Sequence, residues 1–277
     1  MQIDKVKKYW NRSPCNIRHS KLELCTKEYF DEVEQKRYLV EPHNFEFANF
    51  NKWNGKKVLE IGCGIGTDTI NFARYGASVT AIDVSEESIK IAKKRAKVFG
   101  LSENITFHCA SAENLDFLVN SQEKFDLIYS FGVIHHTPSP KNIVKYFKDL
   151  LTDSGEVRVM LYHKYSWKVF RILISHMGFK FWDLNGLVAN HSEAIEGCPV
   201  TYLYSKKSGK ELLESEGLRI THTYVRHIFR WRVKNYIKNQ YNKSLFWKLI
   251  PDRVYDRIQR IFGWHLCIVG IKNVHHS

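Results

Sequence analysis

Residues 58–68 read V-L-E-I-G-C-G-I-G-T-D: an apolar run, three glycines at alternate positions, then helix formers. The run over 57–61 is short and β-branched, which suits a strand buried on both faces. Gly62, Gly64 and Gly66 permit positive φ and let a ligand approach the backbone without Cβ interference. Thr67 to Tyr75 has helical character and meets a stop at Gly76. A strand that turns through glycines into a helix offers free N–H groups and a positive dipole end to a ligand. A glycine triplet alone also fits a plain tight turn, so the surrounding pattern decides.

That pattern is strand alternating with helix. Strands are expected over 78–83, 105–109, 125–130, 155–162, 218–225 and 264–271, with helices over 67–75, 86–99, 141–151 and 208–216. Ser85 with Glu86 and Glu87 makes an N-cap and an acidic first turn. Right-handed crossovers then give a Rossmann-like α/β fold, a seven-stranded, mostly parallel sheet with helices on both faces. Such sheets bind ligands beyond the carboxyl ends of their strands. Asp83 ends the second strand, where a carboxylate can accept from both hydroxyls of a ribose. A dinucleotide fingerprint would need glycine at position 67, where Thr67 stands; the third glycine comes one residue early, which argues against NAD or FAD.

Three motifs in order, V-L-E-I-G-C-G-I-G-T-D, A-I-D-V-S over 81–85 and F-D-L-I-Y-S-F-G-V-I-H-H-T-P over 125–138, resemble the class I S-adenosylmethionine-dependent methyltransferases, in the small-molecule subgroup often called type 11. The resemblance is dense over residues 56–161. It implies an antiparallel last strand lying between strands five and six. It also implies S-adenosylmethionine as cofactor, with S-adenosylhomocysteine as product, and direct displacement onto a small-molecule acceptor. By position, Gly62, Cys63, Gly64 and Gly66 would approach the methionine and ribose parts, Glu60 the amino group, and Asp83 the ribose. Val84 would pack on adenine, Ser111 and Ala112 would line its pocket, and Phe131 of strand four would contact the cofactor. Ser111 stands where many relatives carry Asp. Tyr9, in an N-terminal helix, is expected to reach the cofactor carboxylate.

His135 and His136 follow strand four, where a general base for a protonated nucleophile would stand. Tyr162, His163 and Tyr165 follow strand five and are the candidate acceptor wall. Ser130-Phe131-Gly132-Val133 departs from the N/D-P-P-Y/F pattern of nucleobase amino methylases. No cysteine after strand four or five is placed for carbon methylation of cytosine, and the Pro14-Cys15 dipeptide in the arm reads as fortuitous.

The expected organisation is an N-terminal helical arm (1–50), a cofactor-binding core (51–162), a first cap insertion (163–205), a core helix and strand (206–225), a basic aromatic cap insertion (226–262) and a final core strand (263–277). Charge sharpens this division. The 277 residues carry 42 Lys+Arg against 29 Asp+Glu, a formal charge of +13. Ten basic residues and only Asp252 and Asp256 fall between Arg226 and Arg260, interleaved with aromatics such as Trp231, Tyr236 and Trp247. Lys164, Lys168, Arg171 and Lys180 add to the first insertion, beside Trp167, Phe170, Phe179, Phe181 and Trp182. The favoured reading is a lid over the acceptor pocket. A membrane-proximal or anionic-lipid contact is the next alternative, and an RNA methyltransferase using the basic insertion is the least favoured. The six cysteines are scattered with no C-x-x-C pair, so neither a metal nor a disulfide framework is expected. With no apolar secretory segment in M-Q-I-D-K-V-K-K-Y-W-N-R-S, the expected location is the cytoplasm.

Overall fold

The computed structural model describes residues 2–175, 183–191 and 198–273. Among them, seven strands form one sheet: β1 (Lys57–Ile61), β2 (Ser78–Asp83), β3 (Ile105–Cys109), β4 (Phe125–Phe131), β5 (Leu151–Tyr162), β6 (Leu218–Arg226) and β7 (His265–Lys272). Their order is β3-β2-β1-β4-β5-β7-β6. β1 pairs in parallel with β2 and β4, while β7 runs antiparallel between β5 and β6. The antiparallel last strand thus stands where the resemblance puts it.

β1 lies at the centre, which explains its unbroken apolar run. Leu59 and Ile61 join one core layer and Val58 the other, so both faces are covered. Strand order reverses between β1 and β4, and the carboxyl ends of these strands open the crevice where ligands bind in such sheets.

The arm folds over that crevice as three helices: α1 (Gln2–Arg12), α2 (Lys27–Val40) and α3 (Pro42–Ala48). Tyr29, Phe30 and Val33 of α2 pack against Ile65 of the glycine loop and Ile91 of the helix Glu86–Val98. Arg95 of that helix is fully buried and fastens the layer. It donates to Thr67 Oγ1 at 2.7 Å and to Glu34 at 3.2 Å.

Several boundaries differ from expectation. The helix expected over 141–151 is two short pieces, Pro140–Val144 and Phe147–Leu150. β5 starts early, at Leu151, because that residue pairs with Phe125 ahead of a bulge. Pro42 opens α3, since proline lacks only an N–H that the first turn leaves unpaired anyway. Within the second insertion Asp252–Phe262 is an amphipathic helix, with Pro251 as its N-cap. The first insertion begins with the helix Trp167–Ser175; Met177, Phe179, Lys180, Phe181 and Trp182 lie outside the described residues.

Candidate functional site

The glycine loop is built for close approach. Gly62, Gly64 and Gly66 all have positive φ, at 79°, 54° and 79°. A Cβ on Gly62 would run into the Val133 side chain. A Cβ on Gly64 would meet only the Cys15 Cβ, at 3.9 Å, so it would project into open space. That space is a cavity of roughly 990 Å³, mouth included, bounded by the glycine loop, the ends of β2 and β4, and the arm.

Asp83 holds the loop's shape. One carboxylate oxygen accepts from Gly64 N–H and the other from Ser85 N–H, each at 2.8 Å. A carboxylate has about four acceptor positions, so capacity remains on both oxygens. Glu60 is almost fully buried and accepts from Thr69 Oγ1 at 2.5 Å. Burial, reinforced by the negative charge of Asp68, pushes its carboxyl up to about 8. A buried acid in this state is a seat for a cationic group, which would draw off its proton.

Asp68 is itself buried in a network. Arg37 Nη2 reaches its Oδ2 at 2.9 Å, Tyr38 donates at 2.9 Å, and Asn44 and Tyr129 donate at 3.2 Å. Burial pushes the Asp68 carboxyl up, but the Arg37 charge and these donors hold it below the usual range. Arg37 and Asp68 both line the cavity, as do Val84, Ser111 and Ala112.

Glu60, Gly62, Cys63, Gly64, Asp83, Val84, Ser111, Ala112, Phe131 and His136 meet around this one cavity. Gly66 stands behind it: a Cβ there would crowd Ala92 at 3.1 Å, so this glycine serves helix packing. Tyr9 lies off the cavity wall. On α1 the inward stripe is Ile3, Val6 and Trp10, and Tyr9 instead meets Trp10 edge-on at 5.0 Å. Trp10, Arg37 and Asp68 are lining residues that the sequence reading missed. Asp68 closes the glycine motif and was legible there. Arg37 and Trp10 carry no local signal, because the arm's fold alone brings them in. Cys15 also lines the mouth despite its unremarkable P-C context.

The two histidines separate. His136 lines the cavity, and its Nδ1 lies 2.9 Å from the Val200 carbonyl and 3.1 Å from Thr201 Oγ1. A carbonyl only accepts, so Nδ1 carries the proton and Nε2 is the basic nitrogen of the neutral ring. His135 is fully buried away from the cavity wall, and neither ring nitrogen has a hydrogen-bond partner. Burial, then His136, holds it well below the ordinary histidine value. Its ring packs on Tyr162 at 3.9 Å, and Tyr162 in turn packs on Trp264 at 4.0 Å.

The acceptor-wall candidates disperse likewise. Tyr162 lies one layer behind His136, with ring centroids 5.1 Å apart. His163 is buried with Nδ1 against the Gly263 carbonyl at 3.2 Å, which ties strand ends together. Tyr165 is 62% exposed and lines a separate apolar groove with Trp167, Phe246 and Phe262.

Residues 52–216 match the family model described as a methyltransferase domain. The chain belongs to the class I S-adenosylmethionine-dependent methyltransferases. Over 105 residues it is 40% identical to a ubiquinone biosynthesis O-methyltransferase of Actinobacillus pleuropneumoniae serotype 5b, a match covering 36% of this chain. Such matches span about half or less of the curated relatives' own length, 43% in that protein. Among solved structures it resembles magnesium protoporphyrin IX methyltransferase of Synechocystis PCC 6803 with bound SAM. That likeness has a TM-score of 0.57 at 14% identity and covers 98% of this chain and 97% of that one. It also resembles the [4+2]-cyclase SpnF, with a TM-score of 0.57 at 15% identity over 99% of this chain and 93% of that one. At such identities the likeness concerns the fold. The pairing of a methyltransferase with a cyclase illustrates that reaction type must be argued from the site.

Proposed function

We propose that this methyltransferase moves a methyl group onto a hydroxyl oxygen of a small-molecule acceptor, with His136 as general base. The observation that carries this reading is the anchored tautomer of His136 on the wall of the glycine-loop cavity. The cavity fits S-adenosylmethionine: Gly64 leaves room, Glu60 seats a cation and Asp83 has acceptor capacity to spare. When bound, the cofactor supplies an electrophilic methyl group on a sulfonium. Asp83 would hold the ribose hydroxyls, Glu60 the amino group, and Val84, Ser111 and Ala112 the adenine. Arg37 would face the carboxylate end. Val133 and Phe131 add apolar wall to the same cavity and would help exclude water, which favours displacement over hydrolysis. His136 Nε2 would take the hydroxyl proton as the oxygen attacks, and Val200 and Thr201 hold the ring for it. The O-methyltransferase name of the curated relative agrees with an oxygen nucleophile.

The test is methyl transfer from labelled S-adenosylmethionine to a panel of phenols and other hydroxylated metabolites. We expect His136→Gln to lower kcat about 100-fold or more while leaving cofactor affinity unchanged. A variant with wild-type turnover removes His136 from the mechanism, and absence of cofactor binding by the wild type overturns the reading.

A second reading concerns where the acceptor comes from. The groove beside Tyr165 is almost wholly apolar, is lined by exposed Lys164, and is built from segments that also carry exposed Arg171, Lys248 and Arg253. Leu249 is 78% exposed and Leu245 65%. An apolar floor with a cationic rim suits an anionic membrane surface, and hence a lipophilic acceptor. No helix among the described residues is long and apolar enough to cross a membrane.

A further inference from the structure

Glu41 and His43 flank Pro42 at the start of α3, His227 follows β6, and His265 opens β7. Nearly two hundred residues separate the first pair from the second, yet the fold brings all four together at one end of the sheet. Ligand atoms of Glu41, His227 and His265 all lie within 4.8 Å of one another. We propose that these three residues bind one divalent transition-metal ion of the zinc class, with His43 fixing the ligating tautomer of His265.

The geometry is close to what an ion requires. Metal–ligand bonds of about 2.0–2.2 Å place tetrahedral ligand atoms roughly 3.4 Å apart. His265 Nε2 and Glu41 Oε1 are already 3.8 Å apart. The opposite nitrogen, His265 Nδ1, lies 2.8 Å from His43 Nε2. One of those two nitrogens must donate. When His265 Nδ1–H is the donor, the lone pair of the ring lies on Nε2, the nitrogen nearest Glu41. A histidine ligand whose second nitrogen is held by a hydrogen bond is the usual outer-shell arrangement of a metal site. The rings of His227 and His265 lie 4.5 Å apart, 27° from parallel, and each has a nitrogen within 4.8 Å of the other's and of a Glu41 carboxylate oxygen. His227 sits at φ 73°, a left-handed conformation that a bulky residue adopts at a cost, pinned by Trp264 N–H donating to its carbonyl at 2.7 Å.

Two imidazoles and a carboxylate, with no thiolate, suit zinc or its divalent neighbours in the first transition row better than copper(I) or magnesium. Three protein ligands leave at least one position for water. The ion would lie behind Phe131, whose ring is 5.4 Å from His265 on one side and lines the glycine-loop cavity on the other. It would tie the arm to the ends of β6 and β7 and so fix the floor beside the acceptor.

The experiment uses the full chain, stripped with a chelator and then titrated with zinc chloride by calorimetry. Bound metal is counted by mass spectrometry after dialysis. One equivalent is expected. Glu41→Gln, at a half-buried position, should weaken binding at least about 100-fold. His227→Asn, a residue tolerant of the left-handed conformation, should do the same. His43→Gln, which acts through His265, should weaken it about 10- to 100-fold. If His227→Asn does not fold, Glu41→Gln decides. A wild type that retains no zinc overturns the site. So does unaltered zinc binding in Glu41→Gln, which would place the metal on other histidines. None of these readouts depends on methyl transfer, so the two proposals stand or fall separately.

Discussion

At the residue scale, Glu60 offers a direct handle on cofactor recognition. Its folded-state carboxyl is raised to about 8 by burial and by Asp68, against an ordinary value of 4.5. Between those values the folded chain holds a proton that the unfolded chain has lost. Glu60 therefore lowers stability as pH rises from about 4.5 to 8. A cofactor ammonium group placed against it reverses the balance and expels the proton. Calorimetric titration with S-adenosylhomocysteine at pH 7 should accordingly give heats that change with the ionisation enthalpy of the buffer. Glu60→Gln should abolish that dependence, and buffer-independent heats in the wild type would remove the ammonium from Glu60. Asp83 belongs to the same scale. Asp83→Ala deletes charged acceptors worth roughly 1.5–3 kcal/mol each, so affinity should fall at least about 10- to 100-fold. Ser111→Ala should fall less, because Ser111 Oγ is already engaged by Glu113 N–H at 3.3 Å. Both acids were legible in the sequence because the chemistry sits beside glycines at strand ends. The Glu41–His227–His265 cluster was not. Its members share no spacing, and only the antiparallel insertion of β7 sets His265 beside His227.

At the scale of elements, the parallel strands were readable because burial on both faces leaves an apolar run with little else inside it. The arm was harder. Its helices are held by ion pairs and packing to distant partners rather than by local pattern, and α2 has only a weak amphipathic signal. Arg37 is the fastening. It pairs with Asp68 at 2.9 Å and lies 3.6 Å from Glu41. Removing one partner of a buried ion pair strands the other, at about 3–5 kcal/mol. Arg37→Met should lower unfolding stability by that amount in denaturant titration. Arg37→Met combined with Asp68→Asn should recover a substantial part of it, because the stranded charge is gone. If the double variant is no more stable than the single one, α2 is held by packing of Tyr29, Phe30 and Val33 instead.

At the scale of the whole molecule, the formal charge of +13 is concentrated away from the cofactor cavity, on the late insertions. The second insertion, expected as a lid, carries the helix Asp252–Phe262, none of whose residues is fully buried. Its Ile258 and Phe262 line the apolar groove, and Arg253, Arg257 and Arg260 are exposed to solvent. Basic residues bordering exposed Tyr165, Phe170, Phe246 and Leu249 favour a surface that is both greasy and anionic over a nucleic acid. Co-sedimentation should therefore recover the chain with vesicles containing phosphatidylglycerol and much less with phosphatidylcholine alone. Each surface lysine or arginine near the bilayer is worth about 1 kcal/mol, so raising the salt should release it. Leu249→Glu puts a negative charge on the most exposed large hydrophobic residue among those described, and should weaken vesicle binding without touching cofactor affinity. Equal binding to both vesicle types would assign the groove to neutral lipid contact, and no binding to either would leave the late insertions as a lid over a freely diffusing acceptor.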